Sequence, residues 1–309
     1  MRCVNVTDAA GMRLAAPVFG ERGLLLAAGT VISQEHIERL ADAGIRRVVV
    51  EDARFAELEL PEGVPEHLLA RFRERHRILW QQALGLGGMV PPDGVRWKVS
   101  WDELRELALR VVEHLGRCRP GSLWLGDGSE PQDHAVDAAV LCGYLSRFAG
   151  LWGQAVDLVL AGLLHDIGEA VKPGPEHCRV GVALLRSWPV SAFVQAGVAG
   201  HHGGQVSWPG AAVLAVVECY LSLLLEGLPP GTAWEAVLAA EDLDQKAVSA
   251  FRSWFAPYPV GCPVRLNTGE EAVVVGYSGG VLHRPVVKLL ETGEVRDLSR
   301  PEHLAEVLL

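Results

Sequence analysis

The chain has 309 residues, 49 % of them hydrophobic and 21 % charged, with a formal net charge of −10. That composition excludes a disordered chain, and the length excludes a single small core. An acidic balance without a basic run argues against nucleic-acid or anionic-membrane binding.

At the N-terminus, Met1-Arg2-Cys3-Val4-Asn5 lacks the basic-then-apolar layout of a signal peptide, so a cytoplasmic location is expected. Residues 1–52 read as a small α+β domain. Met12–Phe19 and Gly23–Ala27 have strand character around the turn Gly20-Glu21-Arg22-Gly23. Ser33 supplies an N-cap, Gln34–Ala43 carries helical periodicity, Gly44 ends the helix, and residues 45–50 form a strand. The expected order is strand, strand, helix, strand.

Residues 53–100 read as a helical linker. A helix starts near Pro65, and the Gly- and Pro-rich stretch Gly85–Gly94 closes the segment. Residues 101–256 are helix-like almost throughout. The candidates are Trp101–Leu115, Asp133–Phe148, Gly153–Ile167, Cys178–Ser187, Val190–Ala199, Ala211–Glu226 and Asp244–Phe255. The most apolar runs, Ala155–Leu164 and Ala211–Leu225, carry Asp157 and Glu218. Neither reaches the roughly 20 residues a membrane span requires. From residue 257 to 309 the pattern becomes β-rich, with strands expected at Cys262–Asn267, Ala272–Tyr277 and Pro285–Leu290. The fold class is therefore mainly α, with a small α+β domain before the bundle and a small all-β module after it. The six cysteines, Cys3, Cys118, Cys142, Cys178, Cys219 and Cys262, include no C-x-x-C pair. They read as reduced, mostly buried thiols.

The chemistry concentrates in the helical region. A strongly apolar helix ends in Gly162-Leu163-Leu164-His165-Asp166-Ile167-Gly168. It delivers an imidazole and a carboxylate together, and a buried carboxylate needs a partner or a cation. Gly168 permits close backbone approach. Glu130 and His134 stand four apart, His177 opens a helix, His201-His202 ends another, and Glu218 sits inside Ala211–Tyr220. One zinc ion needs three or four ligands. The set Glu130, His134, His165, Asp166, His177, His201, His202 and Glu218 is large enough for two or three divalent ions. Imidazole and carboxylate donors without thiolate favour iron or manganese, with zinc as the third choice. Taken singly, each piece has a plainer explanation. His-His pairs occur by chance, and Glu218 alone is also explained by pairing with Arg179 or Arg252. His36, His67, His76, His114, His283 and His303 read as ordinary surface or core residues. The co-occurrence in one helical module is what points to a metal site.

At these residues the chain resembles the HD superfamily of metal-dependent phosphohydrolases. Within it, the chain resembles the HD-GYP subfamily of cyclic di-GMP phosphodiesterases. Ala161–Gly168 is similar to that subfamily's core string. Gly11-Met12 with Gly29–Ile32 is similar to its N-terminal domain, and Tyr258–Gly261 through Leu298 to its β tail. The resemblance implies an HD-type helical bundle, a di- or trinuclear iron or manganese centre on the eight ligands named, and His165 and Asp166 at the catalytic centre. It also implies signalling partners and a homodimer. Glu218 stands where the family has aspartate, one methylene shorter, and three further positions depart from the family. Glu169 replaces a lysine that would contact phosphate, Gly203 replaces an acid, and the Gly-Tyr-Pro loop is reduced to Trp208-Pro209. Glu169 and Trp208 are accordingly expected beside substrate. The leading expectation is a phosphodiesterase acting on cyclic di-GMP. The alternatives are hydrolysis of another nucleotide phosphate ester and a degenerate signalling module with little turnover.

Overall fold

The computed structural model describes residues 1–20, 23–91, 94–126, 130–202 and 208–303. At the N-terminal end β1 (Arg2–Asn5) pairs antiparallel with β4 (Arg47–Val50), with Arg2 opposite Val50. Between them run the hairpin β2 (Val18–Gly20) and β3 (Gly23–Leu26) and then helix α1 (Gln34–Asp42). Part of the expected turn, Glu21-Arg22, lies outside the described residues. Ser33 caps α1 reciprocally: its hydroxyl accepts the His36 N–H, and its own N–H donates to His36 Nδ1. Gly44, at φ +71°, takes the left-handed turn that stops the helix. The side chains of Val4, Leu14, Ile32, Leu40 and Val50 close this small core. The expected order omitted β1, whose first residues give only a four-residue strand.

Helix α2 (Glu66–Leu84) begins after Pro65. It does more than connect: Leu68, Leu69, Phe72, Leu79 and Ala83 enter the main core. That core is built by α3 (Trp101–Leu115), α4 (Pro131–Ser146), α5 (Ala155–Leu164), α6 (His177–Leu185), α7 (Ala192–Gly200), α8 (Pro209–Leu225), α9 (Pro230–Ala239) and α10 (Gln245–Trp254). Helix α4 is its axis. Every residue from Asp133 to Ser146 is buried, and α2, α3, α5 and α8 all pack on it. A helix enclosed on all sides has no solvent face, which explains why Ala135–Leu145 is apolar all round apart from Asp137. Helix α9 was not expected, because Pro229-Pro230-Gly231 reads as a turn. Pro230 in fact occupies the first turn, where a missing N–H costs nothing.

At the C-terminal end β5 (Pro263–Arg265), β6 (Glu271–Gly276), β7 (Val286–Leu289) and β8 (Val295–Asp297) form an antiparallel sheet in that order. Its inner face buries Leu266, Val274, Val287 and Leu298. The architecture is mainly α with small sheets at both ends. Among the described residues, no helix is long and apolar enough to cross a membrane.

Candidate metal centre

Five helices bring their chemistry to one place. His134 lies in the first turn of α4, His165 and Asp166 follow the last residue of α5, and His177 and Cys178 open α6. His201 and His202 follow α7, and Glu218 stands midway along α8. Among the described residues these form two groups of converging donors. His134, His165, Asp166 and Glu218 make the inner group, and His177, Cys178, His201 and His202 the outer one.

In the inner group, Nε2 of His134 lies 2.9 Å and Nε2 of His165 lies 3.1 Å from Oε2 of Glu218. The two imidazole nitrogens are 3.2 Å apart. In the outer group, Nε2 of His177 is 3.0 Å from Nε2 of His201 and 3.1 Å from Nε2 of His202. Asp166 joins the two. Its Oδ2 is 3.2 Å from His165 Nε2 and 3.6 Å from His134 Nε2, while its Oδ1 is 3.4 Å from His177 Nε2 and 3.3 Å from His201 Nε2.

Backbone carbonyls set the direction of three rings. Nδ1 of His165 donates to Gly162 O at 2.8 Å, Nδ1 of His177 to Gly174 O at 2.7 Å, and Nδ1 of His201 to Val198 O at 3.0 Å. A ring whose Nδ1 holds the proton presents a bare lone pair at Nε2. Three such lone pairs therefore face carboxylate oxygens, a repulsive arrangement unless positive charge lies between them. The same need shows in the titration behaviour without a cation. Burial opposes charge on His165, but the carboxylates of Asp166 and Glu218 drive its pKa well above the ordinary value. Burial likewise opposes charge on Asp166, yet His165 beside it and hydrogen bonds from His165, His177 and His201 hold it well below the usual carboxylate range. Glu218 is lowered against its burial by hydrogen bonds with His134 and His165. His177 is raised by its bond to Asp166, while burial lowers His201. The donor chemistry fits divalent cations.

The inner group is enclosed, with His165 at 0 % and Glu218 at 8 % exposure, whereas the Asp166 side chain is 24 % exposed and His202 faces solvent. Among the described residues of the centre, exposure is thus greatest at Asp166 and His202. Ser222, one turn beyond Glu218, donates to its Oε1 at 2.8 Å and leaves Oε2 for the centre. The extra methylene of glutamate thus still delivers one oxygen, and its partners are histidines rather than Arg179 or Arg252.

Seven of the eight residues expected as ligands converge. Glu130 does not join them: it is exposed at the N-cap of α4 and belongs to neither group. Trp208 does not face substrate. It is 4 % exposed, stacks on Phe193, and donates its indole N–H to Gln154 at 2.6 Å. Gly203, next to His202, lies outside the described residues. Glu169 also departs from expectation. Its Oε1 is 2.7 Å from Nδ1 of His177, and both its oxygens accept the Gly174 N–H at 3.2 Å. It supports a histidine rather than meeting phosphate. His76, read as an ordinary histidine, is buried on α2, and burial pushes its pKa down to about 3. The sequence reading missed Ser222, whose signal was its i, i+4 spacing from Glu218, and Cys178, whose signal was adjacency to His177.

Residues 132–223 match the family model described as the HD domain. Similar curated proteins include Ribonuclease Y 1 of Pediococcus pentosaceus, 31 % identical over 120 residues that cover 38 % of this chain and 23 % of that protein. Ribonuclease Y of Listeria monocytogenes is 30 % identical over 138 residues, covering 44 % and 25 % respectively. Ribonuclease Y of Syntrophotalea carbinolica is 31 % identical over 127 residues, covering 40 % and 23 %. The chain thus spans about a quarter of the length of these relatives. No solved structure matches. The match is to the HD domain as a whole, and the narrower HD-GYP resemblance rests on the residues alone. Both ligand groups, from His134 to Glu218, lie inside the matched span, and residues 132–223 are an HD domain.

Proposed function

We propose that this HD domain is a metal-dependent phosphohydrolase that cleaves a phosphodiester, with cyclic di-GMP as its substrate. The observation that carries the reading is the Asp166 carboxylate, which turns one oxygen to each donor group. Two groups sharing one carboxylate suit a pair of cations, with iron or manganese expected and zinc the third choice. When bound, such a pair lowers the pKa of water and neutralises charge on a phosphoryl group. The protein's part is positioning. Gly162, Gly174 and Val198 carbonyls orient the imidazoles, Ser222 orients Glu218, and Asp166 fixes the spacing of the two positions. The enclosed inner wall keeps bulk water from one side, so a diester meets the centre from the Asp166 and His202 side. Glu169 supporting His177 favours a centre that holds its cations.

An RNA phosphodiester is the second reading. A cleft of about 1300 Å³ between the N-terminal segment and α2 is lined by Arg39, Arg46, Arg47, Arg71, Arg73 and Arg75, and extends to Gln132 in the first turn of α4. These arginines are scattered in sequence, so the absence of a basic run did not reveal their gathering. Several are engaged by acids, as Arg73 is by Glu66 and Arg75 by Glu103. The ribonuclease names of the similar proteins point the same way.

The test is elemental analysis together with turnover of cyclic di-GMP and of a single-stranded RNA, under reducing conditions with manganese or ferrous iron. The protein is expected to bind two cations and to cleave cyclic di-GMP. Asp166→Asn is expected to weaken binding of both cations and to lose at least about 100-fold in rate, since it alters the one carboxylate that faces both donor groups. Cleavage of RNA alone moves the assignment to the second reading. Failure to bind cations, or no cleavage of either diester by loaded protein, overturns both.

A further inference from the structure

We infer that the Cys178 thiolate is a ligand of the outer cation position, so that the two positions of this centre hold different kinds of metal. The inference rests on the two-cation reading above. Cys178 follows His177 in the first turn of α6, and its Sγ lies 3.4 Å from His177 Nε2 and 3.9 Å from His201 Nε2. The three outer imidazoles and this sulfur all turn one donor atom to the same space.

The distances discriminate between a ligand set and a chance contact. A tetrahedral zinc site has metal–nitrogen bonds of about 2.0–2.1 Å and a metal–sulfur bond of about 2.3 Å, which gives N···N edges of about 3.3 Å and S···N edges of about 3.6 Å. The observed N···N edges of 3.0 and 3.1 Å and S···N edges of 3.4 and 3.9 Å lie close to these. Asp166 Oδ1, at 3.4 and 3.3 Å from His177 and His201, adds a fifth donor on the side shared with the inner group.

A thiolate changes the metal preference. Three imidazoles and one sulfur form a softer set that favours zinc or cobalt, whereas the inner set of two imidazoles and two carboxylate oxygens suits iron or manganese. On this inference the donor set without thiolate is the inner one alone.

Cobalt(II) reports both points on the full-length protein after chelation and reloading. Four- or five-coordinate cobalt gives visible d–d absorption, and a cobalt–thiolate bond adds a near-ultraviolet charge-transfer band. The wild type and a Cys219→Ser control are expected to show both. Cys178→Ser and Cys178→Ala are expected to keep d–d absorption, to lose the charge-transfer band, and to bind zinc at least about tenfold more weakly at the outer position. A wild type with d–d absorption and no charge-transfer band overturns the inference and leaves the two-cation reading standing, as does a band that persists in Cys178→Ser. The wild-type spectrum decides the matter even if a variant fails to fold. A wild type that retains cobalt without a charge-transfer band overturns the inference whatever its d–d intensity, and one that retains fewer than two cobalt ions by elemental analysis overturns the two-cation reading itself.

Discussion

The Glu169 carboxylate lies 2.7 Å from Nδ1 of His177, on the far side of the ring from the centre. A carboxylate there fixes the tautomer and makes the opposite nitrogen more basic, and losing such support costs about 10–100-fold in metal affinity. Glu169→Lys places an ammonium against an N–H that has to donate, so it is expected to weaken cation binding at the outer position within that range. Glu169→Gln keeps an accepting oxygen and is expected to retain most of the affinity. Competition with a chelator measures both. A gain of activity in Glu169→Lys, which a phosphate-binding lysine would give, would overturn this role. The contrast shows what single residues reveal in a sequence. His165, His201 and Glu218 stand out because each is polar within or at the end of an apolar helix. The partners of Glu169 and Cys178 emerge only after the connection from Asp166 to His177 folds back on itself, and helical periodicity carries no record of that path.

Helices α4 and α5 hold the inner group in register, and Gly162 sets how closely they meet. A Cβ at Gly162 would lie 2.8 Å from the carbonyl carbon and oxygen of Ala138 and from Cα of Ala139. These are backbone atoms, which cannot swing aside as a side chain can. Gly162→Ala is therefore expected to push α5 off α4 and to lower stability by about 1–3 kcal/mol, the usual cost of overpacking. Because Gly162 also accepts the Nδ1–H of His165, cation affinity is expected to fall with stability. Denaturant melts with and without added manganese separate the two effects, and an unchanged midpoint would show that the contact is soft. Gly168 makes a similar approach to the backbone of His177 and Gly181, as the sequence reading of close approach implied. The long helices were legible because their apolar periodicity persists over several turns. Strands β1 and β8 have four and three residues and take their place from a partner strand, so local pattern left them unread.

Across the whole molecule α4 is also the joint between the bundle and the N-terminal segment. Asp133, with a fully buried side chain, pairs with Arg73 of α2 at 3.2 Å and with Arg46 at 2.8 Å. One turn on, Asp137 accepts the Gly126 N–H at 2.7 Å. Burial raises the pKa of Asp137 from 3.8 to about 7, against the attraction of Arg47. The sign of the linkage follows directly. Between about pH 4 and 7 the unfolded chain releases this proton while the folded chain keeps it, so stability falls as pH rises through that window and levels off above it. A rise of that size corresponds to roughly 4 kcal/mol at most, since a tenfold change in a proton's affinity is about 1.4 kcal/mol. Asn at 137 is neutral at every pH and its side-chain oxygen still accepts from Gly126. Asp137→Asn is therefore expected to match the wild type near pH 4 and to exceed it by several degrees in Tm at pH 8. Thermal melts of both proteins across that range test the assignment. Parallel curves would mean that Asp137 ionises at its ordinary pKa, and that Arg47 and the Gly126 N–H compensate its burial completely.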